Sequence, residues 1–152
     1  MRFLILFLIS FAMPVMADDL TAQDGWAVQT TDKPYVQLLG DTKAAVKANK
    51  MGVVTEAGPT GTAKKRGITI PGNRVIGVFN NVFAVDMLKL STAAMIEAPI
   101  RMYVTENDDG TATLSYKTPS HVLAPYDGGE ELKTMAAELD TIFAKIAADA
   151  IK

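Results

Sequence analysis

The sequence contains no cysteine, and that absence removes several classes of protein at once. It leaves no disulfide scaffold, no thiolate ligand for a metal and no N-terminal cysteine to acylate as a lipoprotein anchor. Histidine is almost as scarce. His121 stands alone, which is too few for a Cys/His zinc site. A Ser-His-Asp triad would have to recruit Ser115 or Ser120, and no G-x-S-x-G elbow is present. There is no excess of positive charge either: 15 Lys+Arg stand against 17 Asp+Glu, for a formal net charge of −2. A nucleic-acid binder would carry a basic stripe. Internal repeats and low-complexity tracts are missing. With 49% hydrophobic and only 21% charged residues, the chain is too apolar for disorder, and 152 residues suit a single domain.

The apolar residues are concentrated at the front. Fourteen of the first seventeen, MRFLILFLISFAMPVMA, are hydrophobic. Arg2 supplies a positive start, Phe3 to Ala12 an apolar run, and Pro14 a break. Val15 and Ala17 then present small residues before Asp18-Asp19. This is the pattern of a secretory signal peptide cleaved after Ala17. The run is shorter than the ~20 residues that span a bilayer. Beyond Ala17 the hydrophobic share is about 44%, close to the ~45–50% of ordinary domains. The positive mean hydropathy of +0.16 is therefore largely the signature of an export signal. We expect residues 1–17 to be a signal peptide, 18–24 a loose mature N-terminus and 25–152 one domain. The mature protein is expected to be periplasmic or secreted, with no membrane association.

Along the mature chain, Gly25 to Thr31 alternates as a strand should, with Trp26, Val28 and Thr30 opposite Ala27, Gln29 and Thr31. Asp32 reads as a helix cap and Pro34 as a first-turn residue. Tyr35, Leu38, Leu39, Thr42, Ala45 and Val46 share one helical face. Gly52 reads as the left-handed residue that ends this helix. Val53 to Ala57 forms a short strand, and 58–67 a loop with one helical turn begun at Thr60. Arg74 to Phe79 is nearly continuous apolar, as in a buried strand. Asn80 or Asn81 caps a helix over about 82–96, whose recurring face is Val82, Val85, Leu88 and Thr92. Ile100 to Glu106 and Thr111 to Lys117 alternate around the turn Asn107-Asp108-Asp109-Gly110, a hairpin. After a connector at 118–127, Asp127 and Glu130 read as a capping box. The closing helix carries the stripe Leu132, Met135, Leu139, Ile142 and Ile146. At ~22 residues it would be about 33 Å long.

The order β-α-β-β-α-β-β-α predicts an α+β two-layer sandwich. Its sheet would be mostly antiparallel, of about five strands, with the helices on one face. This pattern resembles the domain-of-unknown-function family 302 over Gly25 to Lys152. The likeness is carried by "KANKMGVVTEA", by "RVIGVFNN" running into a helix, and by "APIRMYVTENDDGTATLSY" before a closing helix. It implies a two-layer α+β fold related to that of the TATA-binding protein, without DNA binding, and no established activity, cofactor or substrate. Many relatives place a Cys-Asn-Pro-like triplet after the central strand and a cysteine at the hairpin entrance. Here those positions hold Phe79-Asn80-Asn81 and Ile100, so any thiol chemistry suggested for relatives is unavailable to this chain.

Few residues stand out as site candidates. Lys64-Lys65-Arg66, between Gly61 and Gly67, could cradle an anion, although the P-loop spacing fails and a solvated loop is the simpler explanation. The five methionines of the mature chain are spread along apolar faces, as core filling requires. The acidic hairpin turn lacks a calcium loop. The polar face of the sheet is more informative: Arg101, Tyr103, Ser115, Lys117 and Gln29 should point away from the helices, with Arg101 and Lys117 near one another. Such a face is solvated, a binding surface or a dimer interface. The expected ligand-binding residues are Asn80, Arg101, Tyr103, Lys117, Lys65 and Arg66, with no catalytic residue, metal or cofactor. The leading expectation is an exported, non-catalytic binding or interaction module, either a homodimer or a binder of a small anionic or apolar ligand. The alternatives are a small-ligand carrier with a cavity under the C-terminal helix, and a small enzyme using polar residues around Asn80.

Overall fold

The computed structural model describes residues 20–152. Residues 1–17, expected to be a signal peptide, and the start of the expected loose stretch 18–24 lie outside the described residues. Five strands form one sheet: β1 (Trp26–Pro34), β2 (Gly52–Ala57), β3 (Asn73–Phe79), β4 (Ile100–Glu106) and β5 (Thr111–Lys117). Their spatial order is β1-β5-β4-β3-β2, and every neighbouring pair is antiparallel. The helices are α1 (Tyr35–Ala48), α2 (Thr60–Lys65), α3 (Asn81–Leu90), α4 (Pro119–Leu123) and α5 (Gly129–Ala150), with a 3₁₀ turn at Ala94–Glu97. The α+β two-layer architecture is as predicted.

Topology explains the length of α1. Its flanking strands β1 and β2 are the two edges of the sheet, so the helix must cross the full width. Four interstrand steps of ~4.8 Å come to about 19 Å. The 14 residues of α1 reach about 21 Å at 1.5 Å each. The long α5 packs beside α1, and α3 and α4 pack on α5. Between this layer and the sheet lies the core. Leu38 and Val46 of α1, Ile76 of β3, Met102 and Val104 of β4, Leu114 of β5, and Phe143 and Ile146 of α5 are all fully buried. Each such side chain contributes ~1.5–3 kcal/mol relative to exposure. The Phe143 ring leans on Tyr116 with centroids 5.7 Å apart.

The β4–β5 hairpin forms over the predicted residues, with Met102 opposite Tyr116 and Val104 opposite Leu114. Gly110 turns the chain at φ +84. Thr111 locks the turn by donating its backbone N–H and its hydroxyl to the Asp109 carboxylate. The side-chain bond comes first among the causes that hold Asp109 below the ordinary carboxylate pKa.

Helix ends depart from expectation. β1 runs on to Pro34, which is itself the N-cap of α1 without a side-chain bond, so Asp32 lies in the strand. The left-handed residue after α1 is Lys50 (φ 60), and Gly52 opens β2. Met51 N–H bonds to the Val46 carbonyl at 3.0 Å and Lys50 N–H to that of Lys47 at 3.1 Å. This is the paired Schellman closure, and the turn falls where those carbonyls need donors. The same closure after α2 uses Gly67 at φ +73. Asp127 does not cap α5, whose N-cap is Gly128, with no side-chain bond. A Cβ on Gly128 would lie 2.6 Å from the Leu132 side chain. The bare glycine lets buried Leu132 fold back over the helix start, and Glu130 turns instead to Lys133.

The second helix is shorter than predicted and faces the other way. Chain 82–96 divides into α3 and the 3₁₀ turn. Ala84 and Met87 are buried, while Val82, Val85 and Leu88 are exposed. Apolar residues cover most of α3, and only Asp86 and Lys89 beside Val82 mark its outward side, so apolar spacing alone does not choose the buried face. Contact with α5 and the core does.

Candidate functional site: a groove on the open face of the sheet

The register determines what the helix-free face carries. Residues directly opposite in antiparallel strands share a face. Gln29 pairs with Leu114, so it lies on the core face with Ala27 and Thr31, contrary to expectation. Its side-chain oxygen is buried there without a partner. Trp26 and Val28 therefore face outward. The edge strand places its larger apolar side chains on the open face because pairing with β5, and not its own hydrophobicity, sets its register.

Across the open face the side chains form rows. Trp26 pairs with Lys117, and Arg101 pairs with Gly77. One step beyond the Met102–Tyr116 pair, the ladder sets Arg101 opposite Lys117. The next row runs Val28, Ser115, Tyr103, Val75 and Ala57. These two rows frame a groove of about 360 Å³ lined by Trp26, Val75, Arg101, Tyr103, Ser115 and Lys117. Glu97, Ile100, Tyr116 and Val122 close it at the strand ends. The size lies within the ~300–1,000 Å³ of small-ligand sites.

Each wall has a local cause. Gly77 leaves a bare patch on β3, where a Cβ would meet Thr55 Oγ1 at 2.1 Å and Pro99 Cγ at 2.8 Å. Pro99 therefore lies down on the open face and carries the 94–99 segment, with Glu97, back toward the groove. On the other side the β5–α4 junction is anchored by Thr118, whose N–H donates to the Gly25 carbonyl at 2.8 Å. Gly25 takes φ +74, and a Cβ there would collide with the His121 ring. The lone histidine is thus an exposed residue packed on the backbone beside Trp26, and α4, expected as irregular connector, sets Val122 at the groove's end.

The polar groups of the groove are incompletely paired. Lys117 Nζ lies 5.6 Å from the centroid of Trp26, a cation–π contact worth ~0.5–1 kcal/mol at an exposed site. Glu97 accepts a hydrogen bond from the Tyr126 hydroxyl, the first cause that raises the Tyr126 pKa. Ser115 is 0% exposed, though no helix covers this face. Its row neighbours Val28 and Tyr103 shade it, and its hydroxyl oxygen has no hydrogen-bond partner. Two residues along, Thr113 Oγ1 is satisfied by Asn107 Oδ1 at 3.0 Å.

Of the six expected binding residues, the fold unites Arg101, Tyr103 and Lys117. Asn80 is elsewhere: its amide oxygen accepts from Val82 N–H at 2.8 Å, and its Nδ2 donates to the Lys50 carbonyl at 3.0 Å. It caps α3 and ties it to the α1–β2 turn. Lys65 and Arg66 lie at the C-terminal end of α2, away from the groove. Trp26, Ser115, Val75 and Glu97 complete the groove without having been singled out as ligand-binding residues. Trp26 and Ser115 were visible in the strand alternation, but Glu97 reaches the site only through the packing of Pro99. Among the described residues no group of three or more His, Cys, Asp or Glu is placed to hold a metal ion. No helix there is long and apolar enough to cross a membrane.

The comparisons with known proteins agree with this architecture. The family model described as domain of unknown function DUF302 matches residues 26–150. The crystal structure of an uncharacterized conserved DUF302 protein from Bacillus stearothermophilus superimposes with a TM-score of 0.73 at 16% identity. The match covers 84% of this chain and 98% of that one. At that identity the likeness shows the fold alone. None of the curated proteins matches this chain.

Proposed function

This chain belongs to the DUF302 family, and we propose that it is an exported, non-catalytic binding module that holds a small anionic ligand in the open-face groove. The observation that carries this reading is Ser115. A buried hydroxyl without a partner costs about 1–3 kcal/mol, and this one lines a groove flanked by Arg101 and Lys117. A ligand that turns the shading Tyr103 side chain aside would bring an oxygen to that hydroxyl, with charge-assisted bonds from the two cations. Trp26 and Tyr103 supply the apolar contact. Export to the periplasm or beyond rests on the first seventeen residues.

Two features weigh for this groove over the alternative sites. The gap between α5 and the sheet beside Leu139 and Phe143 amounts to about 30 Å³, room for no more than a few waters, so an organic cargo fits the open face and not this gap. Near the end of β3, both amide atoms of Asn80 serve the fold and Asp86 is paired with Lys89, which leaves little there for chemistry. The test follows Trp26, the one tryptophan of the chain. Titrating the purified protein, expressed from the full chain, with 3-phenylpropionate should quench its fluorescence saturably. An Arg101→Ala/Lys117→Ala double variant should lose that response. An unchanged wild-type spectrum overturns the proposal.

A second reading, self-association, is favoured by α3. Its outward face carries Val82 and Ile96 nearby, 68% and 78% exposed, with Val85 and Leu88. Asp86 and Lys89 on the same helix make that face self-complementary in charge to a second, antiparallel copy. Sedimentation at rising concentration should give a dimer that Val85→Glu abolishes; a monomer throughout rules it out.

A further inference from the structure

The groove holds both signs of charge, and its charged groups do not pair with one another. Arg101 and Lys117 line it without an ion pair among the described residues, and the same is true of Glu97. Glu97 is half-buried, and its hydrogen-bond partner is a neutral phenol, Tyr126. Elsewhere the fold does bring carboxylates and ammonium groups together: Lys33 with Asp41, Lys43 with Glu56, and Asp149 with both Lys145 and Lys152. A half-buried carboxylate facing a groove with two cations, and meeting neither, is a different arrangement. A purely anionic ligand would satisfy Arg101 and Lys117 but would leave Glu97 desolvated beside like charge.

We infer that the ligand of this groove is a small zwitterion: a carboxylate held by Arg101, Lys117 and Ser115, an ammonium held by Glu97, and an apolar body lying against Trp26 and Tyr103. The inference rests on the anion-binding reading above and narrows it to the class of amino acids and short-chain relatives. The groove volume of about 360 Å³ accommodates one such molecule. Glu97 is the specificity residue. It disfavours a plain acid by like charge, and it contributes a charge-assisted hydrogen bond to the ammonium.

The experiment compares three ligands with one aromatic body, titrated against the full-chain protein by Trp26 fluorescence and calorimetry: L-phenylalanine, 3-phenylpropionate and phenethylamine. Phenylalanine should bind about tenfold more tightly than 3-phenylpropionate, the value of one charge-assisted hydrogen bond, and phenethylamine most weakly. Glu97→Gln, which keeps an acceptor for Tyr126, should weaken phenylalanine and slightly tighten 3-phenylpropionate, so that the tenfold gap between them closes. Equal binding of the two acids to the wild type overturns the zwitterion and leaves the anion site standing. Tightest binding of the amine, or no binding of any of the three at millimolar concentration, overturns both. The wild-type comparison decides the matter even if the Glu97 variant does not fold.

Discussion

Replacing Ser115 with alanine should make the free protein more stable and its groove worse at binding. In the free state the hydroxyl is fully buried and unpartnered, so folding strips it of water with nothing in exchange. That cost is about 1–3 kcal/mol. Ser115→Ala removes the oxygen and nothing else, so most of the cost should be recovered. A few tenths are lost because alanine is a poor strand former. The expected gain is about 1 kcal/mol, or a rise in Tm of roughly 3–5 °C for a domain of this size. Thr113→Val is the paired control. It lies on the same strand and face, is also buried, and its hydroxyl donates to Asn107 at 3.0 Å. Losing that bond while keeping the shape should cost about 0.5–1.5 kcal/mol. Urea unfolding followed by far-UV circular dichroism would give both values as midpoint shifts at constant slope. The same Ser115→Ala protein should bind 3-phenylpropionate roughly 2–10-fold more weakly, the equivalent of one lost hydrogen bond. A midpoint that falls or stays put would mean that the hydroxyl is satisfied without a ligand, and the chief argument for a binding site at the groove would be gone.

Other substitutions probe the frame around the site. Lys50→Gly should stabilise the fold by about 0.5–1 kcal/mol in the same urea assay, because Lys50 occupies a left-handed turn that glycine takes without steric cost. Lys33 donates to Asp41 at 2.6 Å and to the Ala150 carbonyl at 2.8 Å, tying β1 to both α1 and the end of α5. Lys33→Met should cost about 1–3 kcal/mol, whereas Lys133→Met, which breaks an exposed pair, should leave the midpoint within ~0.5 kcal/mol. Met87→Ala, at a buried position, should cost about 2–5 kcal/mol and Val82→Ala no more than ~0.5 kcal/mol; equal costs would refute the orientation of α3. Hydrogen bonds from Lys145, Lys152 and Asn49 hold the Asp149 pKa well below the ordinary carboxylate range. A depressed folded pKa gives stability that is complete above the unfolded value of about 3.9 and is lost as pH falls below it. Unfolding free energies measured down through pH 4 should therefore decline more steeply for the wild type than for Asp149→Asn.

How much could be read before folding varies from element to element. The hairpin was legible to the residue, because strict alternation from Ile100 to Glu106 and from Thr111 to Lys117 leaves one apolar set per strand and Gly110 marks the turn. The closing helix was legible in length and stripe, because its apolar positions keep helical period over six turns. Helix ends were less legible. Which carbonyls and N–H groups lack partners depends on where the chain must turn next, so Lys50 and Gly128 took the places expected of Gly52 and Asp127. α3 was legible as a helix but was read facing the wrong way, since its apolar residues cover most of its surface and only Asp86 and Lys89 beside Val82 mark the outward side.

The amino-acid sequence by itself determined the absence of thiol chemistry, the α+β class and the placing of Arg101 with Tyr103 on a polar strand face. These follow from local composition and period, which need no knowledge of distant residues. The tertiary structure alone decided that Trp26 turns outward, that Gln29 turns inward, and that Ser115 is buried on a face no helix covers. It also brought Glu97 to the groove by laying Pro99 on Gly77. Those outcomes depend on the register between strands far apart in the chain. A strand's register is set by the hydrogen-bond ladder it joins, and the side chains of an edge strand follow wherever that ladder places them.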